Sequence, residues 1–149
     1  MAERFYGTAG RFIIQDVGIS LPLYLKEKSS GQDIVDRENS ALLCKKFRGG
    51  CDYVADHAAQ GFDKIKQCKW GTMAMIQTPT GTQIYMCVAM SMGTNTGNDL
   101  VTLSGARVSR CQWADLCAYC CNDERGRDIT MVFFKKWMKV GHPIIRLDD

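Results

Sequence analysis

Short runs of β-branched and aromatic residues recur along the chain, and each ends at a turn signal. This pattern restricts the possible folds more than any other feature of the sequence. Two such runs lie within residues 11–24, separated by a turn-prone cluster at residues 16–18. Further strand-like runs cover residues 52–55, 72–77, 82–92, 116–121 and 127–134. About seven or eight short strands with brief connections predict a mainly β fold. A closed or nearly closed β-barrel is the expected architecture, and a β-sandwich is its main competitor.

Few segments have helical character, and those are short. Residues 40–47 resemble a helix capped by Ser40 and stopped by the glycine pair at residues 49–50, and residues 62–67 could form one or two turns. An α/β doubly wound fold lacks the helices it would need. Residues 93–99 are expected to be a loop. The 149 residues suit a single domain covering residues 1–149.

Composition excludes several function classes. The apolar fraction is 46% and the charged fraction 23%, as in soluble globular proteins, and a net charge of +3 with mixed signs gives no indication of nucleic-acid binding. No apolar run approaches the roughly 20 residues of a membrane-spanning helix. The N-terminus has no secretory pattern, so the chain as written is expected in the cytoplasm, or at the cell surface if an N-terminal anchor has been removed. Its eight cysteines are then expected to be reduced.

The terminal hairpin is the most informative segment for chemistry. Residues 122–126 form a turn, and this spacing predicts that Cys121 and Arg127 face each other across an antiparallel pair. A guanidinium so placed would lower the pKa of the cysteine and favour the nucleophilic thiolate. The alternative is structural, because cysteine is commonly buried and hairpin arginines are commonly solvated.

The chain has two histidines. His57 follows a strand-like run and enters a loop, where catalytic groups often lie, whereas His142 sits in a Gly-His-Pro turn and is expected at the surface. A histidine at a strand end is also often structural. No phosphate-binding glycine loop occurs, so no cofactor is expected.

Metal binding is the main alternative function for so many thiols. Cys117, Cys120 and Cys121 cluster, but strand alternation places Cys117 and Cys121 on one face and Cys120 on the other. Only Cys117 and Cys120 have C-x-x-C spacing, whereas a structural zinc site usually shows two such pairs. No metal site is therefore expected.

Four segments in order resemble the sortases, the cysteine transpeptidases of Gram-positive bacteria. Residues 12–24, FIIQDVGISLPLY, resemble the opening pair of family strands, and residues 53–57, YVADH, resemble the strand that ends in the family's catalytic histidine. Residues 116–121, LCAYCC, resemble the strand that carries the nucleophile, and residues 127–132, RDITMV, resemble the strand that begins with the catalytic arginine.

The resemblance implies a sortase-like closed eight-stranded β-barrel with short connecting helices. It also implies that Cys121 attacks a peptide carbonyl to form a thioester, that His57 transfers protons, and that Arg127 steadies the thiolate, the substrate or the oxyanion. The expected partners are an extended peptide or protein substrate and an amine acceptor, with water as the other possible acceptor.

The resemblance leaves alternatives open. Cys120 stands where the family usually has a small threonine, so either Cys120 or Cys121 could be the nucleophile, although alternation favours Cys121. The chain could also be a catalytically silent module that holds an extended peptide in a cleft near residues 92–109. A third hypothesis is a thiol-rich metal or redox protein that forms a reversible disulfide through Cys117, Cys120 or Cys121.

Overall fold

A computed structural model describes residues 8–25, 41–44, 51–55, 62–78, 81–96, 99–123 and 127–141. Within these ranges the chain is mainly β, with short 3-10 helices as connections. The strands are β1 (Thr8–Ile14), β2 (Ile19–Leu25), β3 (Ala41–Cys44), β4 (Asp52–Ala55), β5 (Met73–Thr78), β6 (Gly81–Asn95), β7 (Leu100–Thr102), β8 (Leu116–Cys121) and β9 (Asp128–Gly141). The 3-10 helices are Gln15–Val17, Phe62–Gln67 and Val108–Arg110.

The strands pair in one curved sheet. Their order is β5-β1-β2-β3-β4-β8-β9-β6-β7, and β5 also pairs with β6. The pairings therefore pass through eight strands and return to the first, while β7 pairs with the C-terminal end of β6, beyond the part that pairs with β5. The predicted mainly β fold with short helical connections is confirmed, with a ninth strand outside the ring.

Local sequence explains the tight connections. The 3-10 helix Gln15–Val17 ends at Gly18, whose φ of +78° is a left-handed conformation that glycine adopts without steric cost. This glycine lets β1 fold back antiparallel on β2, as the turn signal predicted. Two pairs are parallel instead: β2 with β3, and β4 with β8. Parallel neighbours have their C-terminal ends at the same edge of the sheet, which matters for the site.

Apolar side chains pack on both faces of β8 and β9. Toward the inside of the curved sheet, the alternate residues Leu116, Ala118 and Cys120 join the inner core, together with Phe62 and Ile65 of the 3-10 helix. Toward the outside, a second set of buried residues forms what we call the outer cluster: Cys51, Leu100, Val108, Cys111, Ala114, Cys117, Ile129, Met131 and Phe133. Burial on both faces explains why β8 has almost no polar residues.

Two local predictions were wrong. Residues 41–44 form β3, a strand between β2 and β4, and not part of a helix over residues 40–47. An apolar run this short has no distinguishing periodicity, so its strand neighbours decide its conformation. The expected loop at residues 93–99 is also shorter, because β6 continues to Asn95 through its pairing with β7 and β9. Among the residues described, no helix is long and apolar enough to cross a membrane.

Candidate active site

Cys121 is the last residue of β8 and differs from the other thiols in its exposure. Of the seven cysteines whose side chains the structure describes, six are buried and Cys121 is partly exposed. Cys117 lies in the outer cluster and Tyr119 packs against it, whereas Cys120 belongs to the inner core. The predicted alternation of these residues is confirmed. By the same alternation, Cys121 is on the outer face of the sheet.

The register across the terminal hairpin differs from the prediction. β8 pairs antiparallel with β9, as expected, but Cys121 lies opposite Ile129 and not opposite Arg127. Arg127 is two residues closer to the turn and therefore is a diagonal neighbour of Cys121. Diagonal neighbours on one face are about 7–8 Å apart, a distance that a long arginine side chain can span. The five residues between Cys121 and Arg127 in sequence do not indicate which pair of residues is the last in the β8–β9 pairing.

Backbone hydrogen bonds hold Arg127 between two strands, while its side chain is exposed. The Arg127 N–H donates to the Asp123 carboxylate at 3.0 Å, and the Arg127 carbonyl accepts from the Asn95 N–H at the end of β6 at 2.7 Å. Asp123 also accepts from the Asp128 N–H at 3.3 Å. Hydrogen bonds of its main chain therefore fix the position of Arg127. The guanidinium is not needed to hold the residue in place.

The pKa of Cys121 is shifted in the direction opposite to the prediction, and Asp123 contributes to this shift. Burial raises the pKa of Cys121 above its ordinary value, and the Asp123 carboxylate raises it further. The expected lowering of this pKa by Arg127 is therefore wrong for the free protein. Sequence reasoning missed Asp123, although an aspartate two positions after a candidate nucleophile is a signal that could have been weighed.

Cys120 is buried, in contrast to the partly exposed Cys121. Its side chain is fully buried in the inner core. Burial raises its pKa to about 11; Lys66 lowers this pKa, whereas Cys121 and Asp63 raise it. A thiol with no access to solvent cannot meet a peptide, so exposure agrees with alternation in favouring Cys121 over Cys120.

The parallel pairing of β4 with β8 directs two chain segments to the same edge. Ala55, the last residue of β4, lies opposite Tyr119 of β8. In sequence, His57 follows Ala55 by two positions, just as Cys121 follows Tyr119 by two positions. His57 itself, like His142, lies outside the described residues.

Two apolar side chains are accessible at this end of the sheet. Met92 of β6 is 49% exposed, and it lies opposite Thr130, which in turn lies opposite Cys120. The Leu103 N–H donates to the Met92 carbonyl at 3.1 Å, and the Leu103 side chain is 78% exposed. These residues fall within the segment 92–109 that the sequence indicated as a peptide-binding cleft.

The described part of the chain offers no alternative metal centre. Within it, no group of three or more histidine, cysteine, aspartate or glutamate side chains has an arrangement that could hold a metal ion. Cys117 and Cys120, the one C-x-x-C pair, belong to different clusters on opposite faces of β8.

Comparison with known proteins identifies the fold. No protein-family model matches the sequence, and no curated protein matches it. Among solved structures, sortase E1 from Streptomyces coelicolor with a tripeptide in the active site aligns with a TM-score of 0.68 at 12% identity, over 90% of each chain. Listeria monocytogenes sortase A gives a TM-score of 0.65 at 12% identity, over 91% of this chain and 90% of that chain.

A third structure is that of Clostridium perfringens sortase C with the C-terminal cell wall sorting motif. It aligns with a TM-score of 0.65 at 14% identity, over 89% of this chain and 72% of that chain. The chain therefore has the sortase fold, as the order of its four sequence segments predicted. It is a divergent example, because the identities are low.

Proposed function

We propose that this protein is a cysteine acyltransferase or peptidase of sortase type, with Cys121 as nucleophile, His57 as acid and base, and Arg127 as the cationic group. The observation that carries the proposal is the parallel register of β4 and β8. It leads the chain toward His57 and toward Cys121 from paired positions at one edge of the sheet. The sortase fold supports the same assignment.

The chemistry begins with a proton transfer. Because burial and Asp123 raise the pKa of Cys121, its thiol is mostly protonated near neutral pH and needs a base. His57 takes the thiol proton as sulfur bonds to the peptide carbonyl carbon. The C–N bond then breaks, and His57 returns the proton to the leaving amine. An incoming amine or water attacks the thioester and regenerates the thiol.

The proposed role of Arg127 is charge stabilisation. Its backbone is anchored to Asp123 and Asn95, and its exposed side chain belongs to the residue just before β9, the strand that pairs with β8. Because the residue is already held in place, little reorganisation of the protein is needed when negative charge develops on the carbonyl oxygen. It could also donate to the backbone of an extended substrate.

The proposed donor substrate is an extended peptide. The tripeptide of the Streptomyces coelicolor enzyme and the sorting motif of the Clostridium perfringens enzyme are peptide ligands of proteins with this fold. In this chain, the exposed Leu103 supplies apolar surface for a side chain of such a peptide, whereas Met92 lies on the same face of the sheet as Cys120. The proposed acceptor is an amine, with water as the competing nucleophile.

The test is capture of the acyl-enzyme. The full chain is incubated with a mixed-sequence peptide library and with the sorting-motif peptide, and intact mass is measured before and after hydroxylamine, which cleaves thioesters. We expect a hydroxylamine-sensitive adduct that maps to Cys121 and is absent from Cys121→Ala. Cys120→Ala is the matched control, and it should retain the adduct. An adduct that persists in Cys121→Ala would contradict the assignment.

The second candidate function is peptide binding without turnover. The raised pKa of Cys121 favours it, since an unactivated thiol forms no acyl-enzyme. This function predicts that a peptide protects Cys121 from alkylation while no mass adduct appears.

A further inference from the structure

One edge of β6 is unpaired over a short stretch. On the side away from β9, β5 pairs with β6 as far as Met86, and β7 pairs with it from Gly93 onward. Two turns extend these contacts to Cys87 and Met92. No described strand pairs with this side of β6 at residues 88–91, a stretch that we call the β6 gap.

Main-chain groups of β6 face the gap. The Met92 carbonyl accepts the Leu103 N–H at 3.1 Å from this side. Alternate residues of a strand direct their N–H and carbonyl groups to the same side, so those of Met90 also face the gap. The residues between them, Ala89 and Ser91, pair with β9 on the other side. The gap therefore offers a donor and an acceptor to an extended chain.

A hydrogen-bonded turn closes one end of the gap. The Lys69 N–H donates to the Thr72 hydroxyl at 3.0 Å, and the Gly71 N–H donates to the Cys87 carbonyl at 2.9 Å. Trp70, which lies in this turn, is 73% exposed. The turn therefore holds an exposed aromatic residue at the boundary of the unpaired edge.

A second turn closes the other end, where Leu103 is bonded to β6. The Thr102 N–H donates to the Ala106 carbonyl at 2.9 Å, and the Ala106 N–H donates to the Thr102 hydroxyl at 3.1 Å. Both turns are fixed by their own hydrogen bonds. A ligand in the gap therefore does not have to order them, which lowers the entropic cost of binding.

Exposed apolar surface is concentrated at the gap. Seven large apolar side chains are exposed in the described ranges, and four of them lie in the gap or at its ends: Trp70, Met90, Met92 and Leu103. Met90 is exposed although it lies opposite the buried Val132 of β9. Exposed apolar patches commonly mark binding surfaces, and methionine adapts its shape to different apolar partners.

We propose that the β6 gap is a second peptide-binding site, in which an extended segment adds as a short strand beside residues 88–91. Main-chain hydrogen bonds to Met90 hold the segment, and its apolar side chains contact Trp70 and Met90. From Cys87 to Met92 a strand extends about 17 Å, which accommodates about four added residues.

The surroundings define the chemistry of the segment. Lys69 is exposed beside Trp70, so an acidic residue at that end is favoured. A lipid surface does not supply the hydrogen bonds that an open strand edge requires. The occupant is therefore a polypeptide with alternating apolar residues and a carboxylate at the end near Lys69.

The site is separate from the candidate nucleophile. β9 lies between β6 and β8, the strand that ends at Cys121. Binding in the gap requires no reaction at Cys121, so the proposal does not depend on the proposed function. Leu103 borders both this site and the proposed substrate surface, so the test relies on Trp70 and Met90.

The test measures peptide binding to the full chain carrying Cys121→Ala, in which no thioester can form at that position. The probes are two fluorescein-labelled, capped hexapeptides of alternating valine and threonine, with glutamate at the first or the last position. We expect saturable binding of at least one probe by fluorescence anisotropy. A version with N-methylated amides keeps its side chains but loses its main-chain donors, so it should bind at least about fivefold more weakly.

Variants locate the binding. Met90→Pro removes the N–H that faces the gap, a change that an unpaired strand edge tolerates, and should weaken binding at least about fivefold. Met90→Leu keeps this N–H and should retain binding. Trp70→Ala should also weaken binding, whereas Trp137→Ala, which alters an exposed tryptophan of β9, should not. If circular dichroism shows that Met90→Pro is unfolded, Trp70→Ala decides.

Three results would overturn the proposal. One is the absence of saturable binding of either probe up to about 1 mM. Another is equal binding of the N-methylated peptide, which would indicate apolar adsorption without strand addition. The third is a loss of binding in Arg127→Ala with none in Trp70→Ala, which would place the peptide at the candidate active site. A dimer detected by light scattering that Met90→Pro abolishes would also overturn it, because the occupant would then be a second copy of the chain.

Discussion

Asp123 is the residue that most changes the expected behaviour of the candidate nucleophile. Its carboxylate raises the pKa of Cys121 and at the same time accepts the backbone N–H of Arg127. An amide at this position keeps an oxygen acceptor for that N–H but removes the negative charge. The two effects of Asp123 can thus be separated by one substitution.

Asp123→Asn should lower the pKa of Cys121 and speed its alkylation near neutral pH. The expected gain is less than about fivefold, since an interaction involving a partly exposed charge is worth at most about 1 kcal/mol. The measurement is the iodoacetamide rate at Cys121 as a function of pH, with Asp128→Asn as the control. Superimposable profiles for Asp123→Asn and the unaltered chain would contradict this role.

Arg127→Ala separates thiol activation from charge stabilisation. The charged group that acts on the Cys121 pKa is Asp123, so alkylation of Cys121 should change less than about twofold. Acyl-enzyme formation should fall by about 100-fold or more, as expected for loss of an oxyanion-stabilising donor. Arg107→Ala, another exposed arginine, should change neither rate. A large loss of alkylation in Arg127→Ala would restore the thiolate-pairing interpretation.

At the scale of elements, the end of β6 supports the site through Gly93. A methyl group at this position would overlap the Val101 carbonyl of β7 and the end of the Met131 side chain. The next two residues of β6 pair with Asp128 and donate a hydrogen bond to the Arg127 carbonyl. The small size of Gly93 thus allows β6, β7 and β9 to meet beside the site.

Gly93→Ala should cost about 1–3 kcal/mol of unfolding free energy through overpacking and should slow acyl transfer by displacing Arg127. Urea unfolding and the acyl-enzyme assay measure the two effects. Gly105→Ala is the control, because an added methyl group there meets no atom within 4 Å. Its only cost is the strain of a left-handed backbone (φ +92°), about 1 kcal/mol of unfolding free energy. Equal costs for the two variants would argue against the steric explanation.

Most strands and the order of the site segments could be predicted from the sequence, because turn signals and alternating burial are local properties. β8 illustrates this, since its alternation correctly assigned Cys120 and Cys121 to opposite faces. The hairpin register was not predictable, because the hydrogen bonds of Asp123 decide where the ladder ends. The parallel pairing of β4 with β8 and the strand conformation of β3 depend on contacts between distant segments, which no local pattern contains.

At the scale of the whole molecule, buried ionisable groups set the response to alkaline pH. Burial raises the pKa of Cys68 to about 12 and that of Cys120 to about 11, and burial with Asp52 and Asp115 raises the pKa of Tyr85 to about 12. The folded state thus holds these protons more tightly than the unfolded state. Their contribution to stability is complete below the ordinary thiol value of 9.0 and is lost as pH rises through the folded values.

The free energy of unfolding, measured with urea, should therefore decrease as the pH rises from about 9 to about 12, by a total on the order of several kcal/mol. Cys68→Ala removes one of the responsible groups, so its stability should decline less steeply over this range. Parallel curves for the two proteins would show that the Cys68 thiol does not contribute.

The position of β9 has a consequence for biosynthesis. Of the nine strands in the described part of the chain, β9 comes last in sequence, yet it pairs with β8 on one side and with β6 on the other. During synthesis, the earlier strands can form hairpins, but the ring stays open between β8 and β6 until β9 leaves the ribosome. A chain that stops before β9 would expose two unpaired strand edges, the kind of surface that aggregates or attracts chaperones. Premature termination should thus yield a target for degradation and not a partly folded domain.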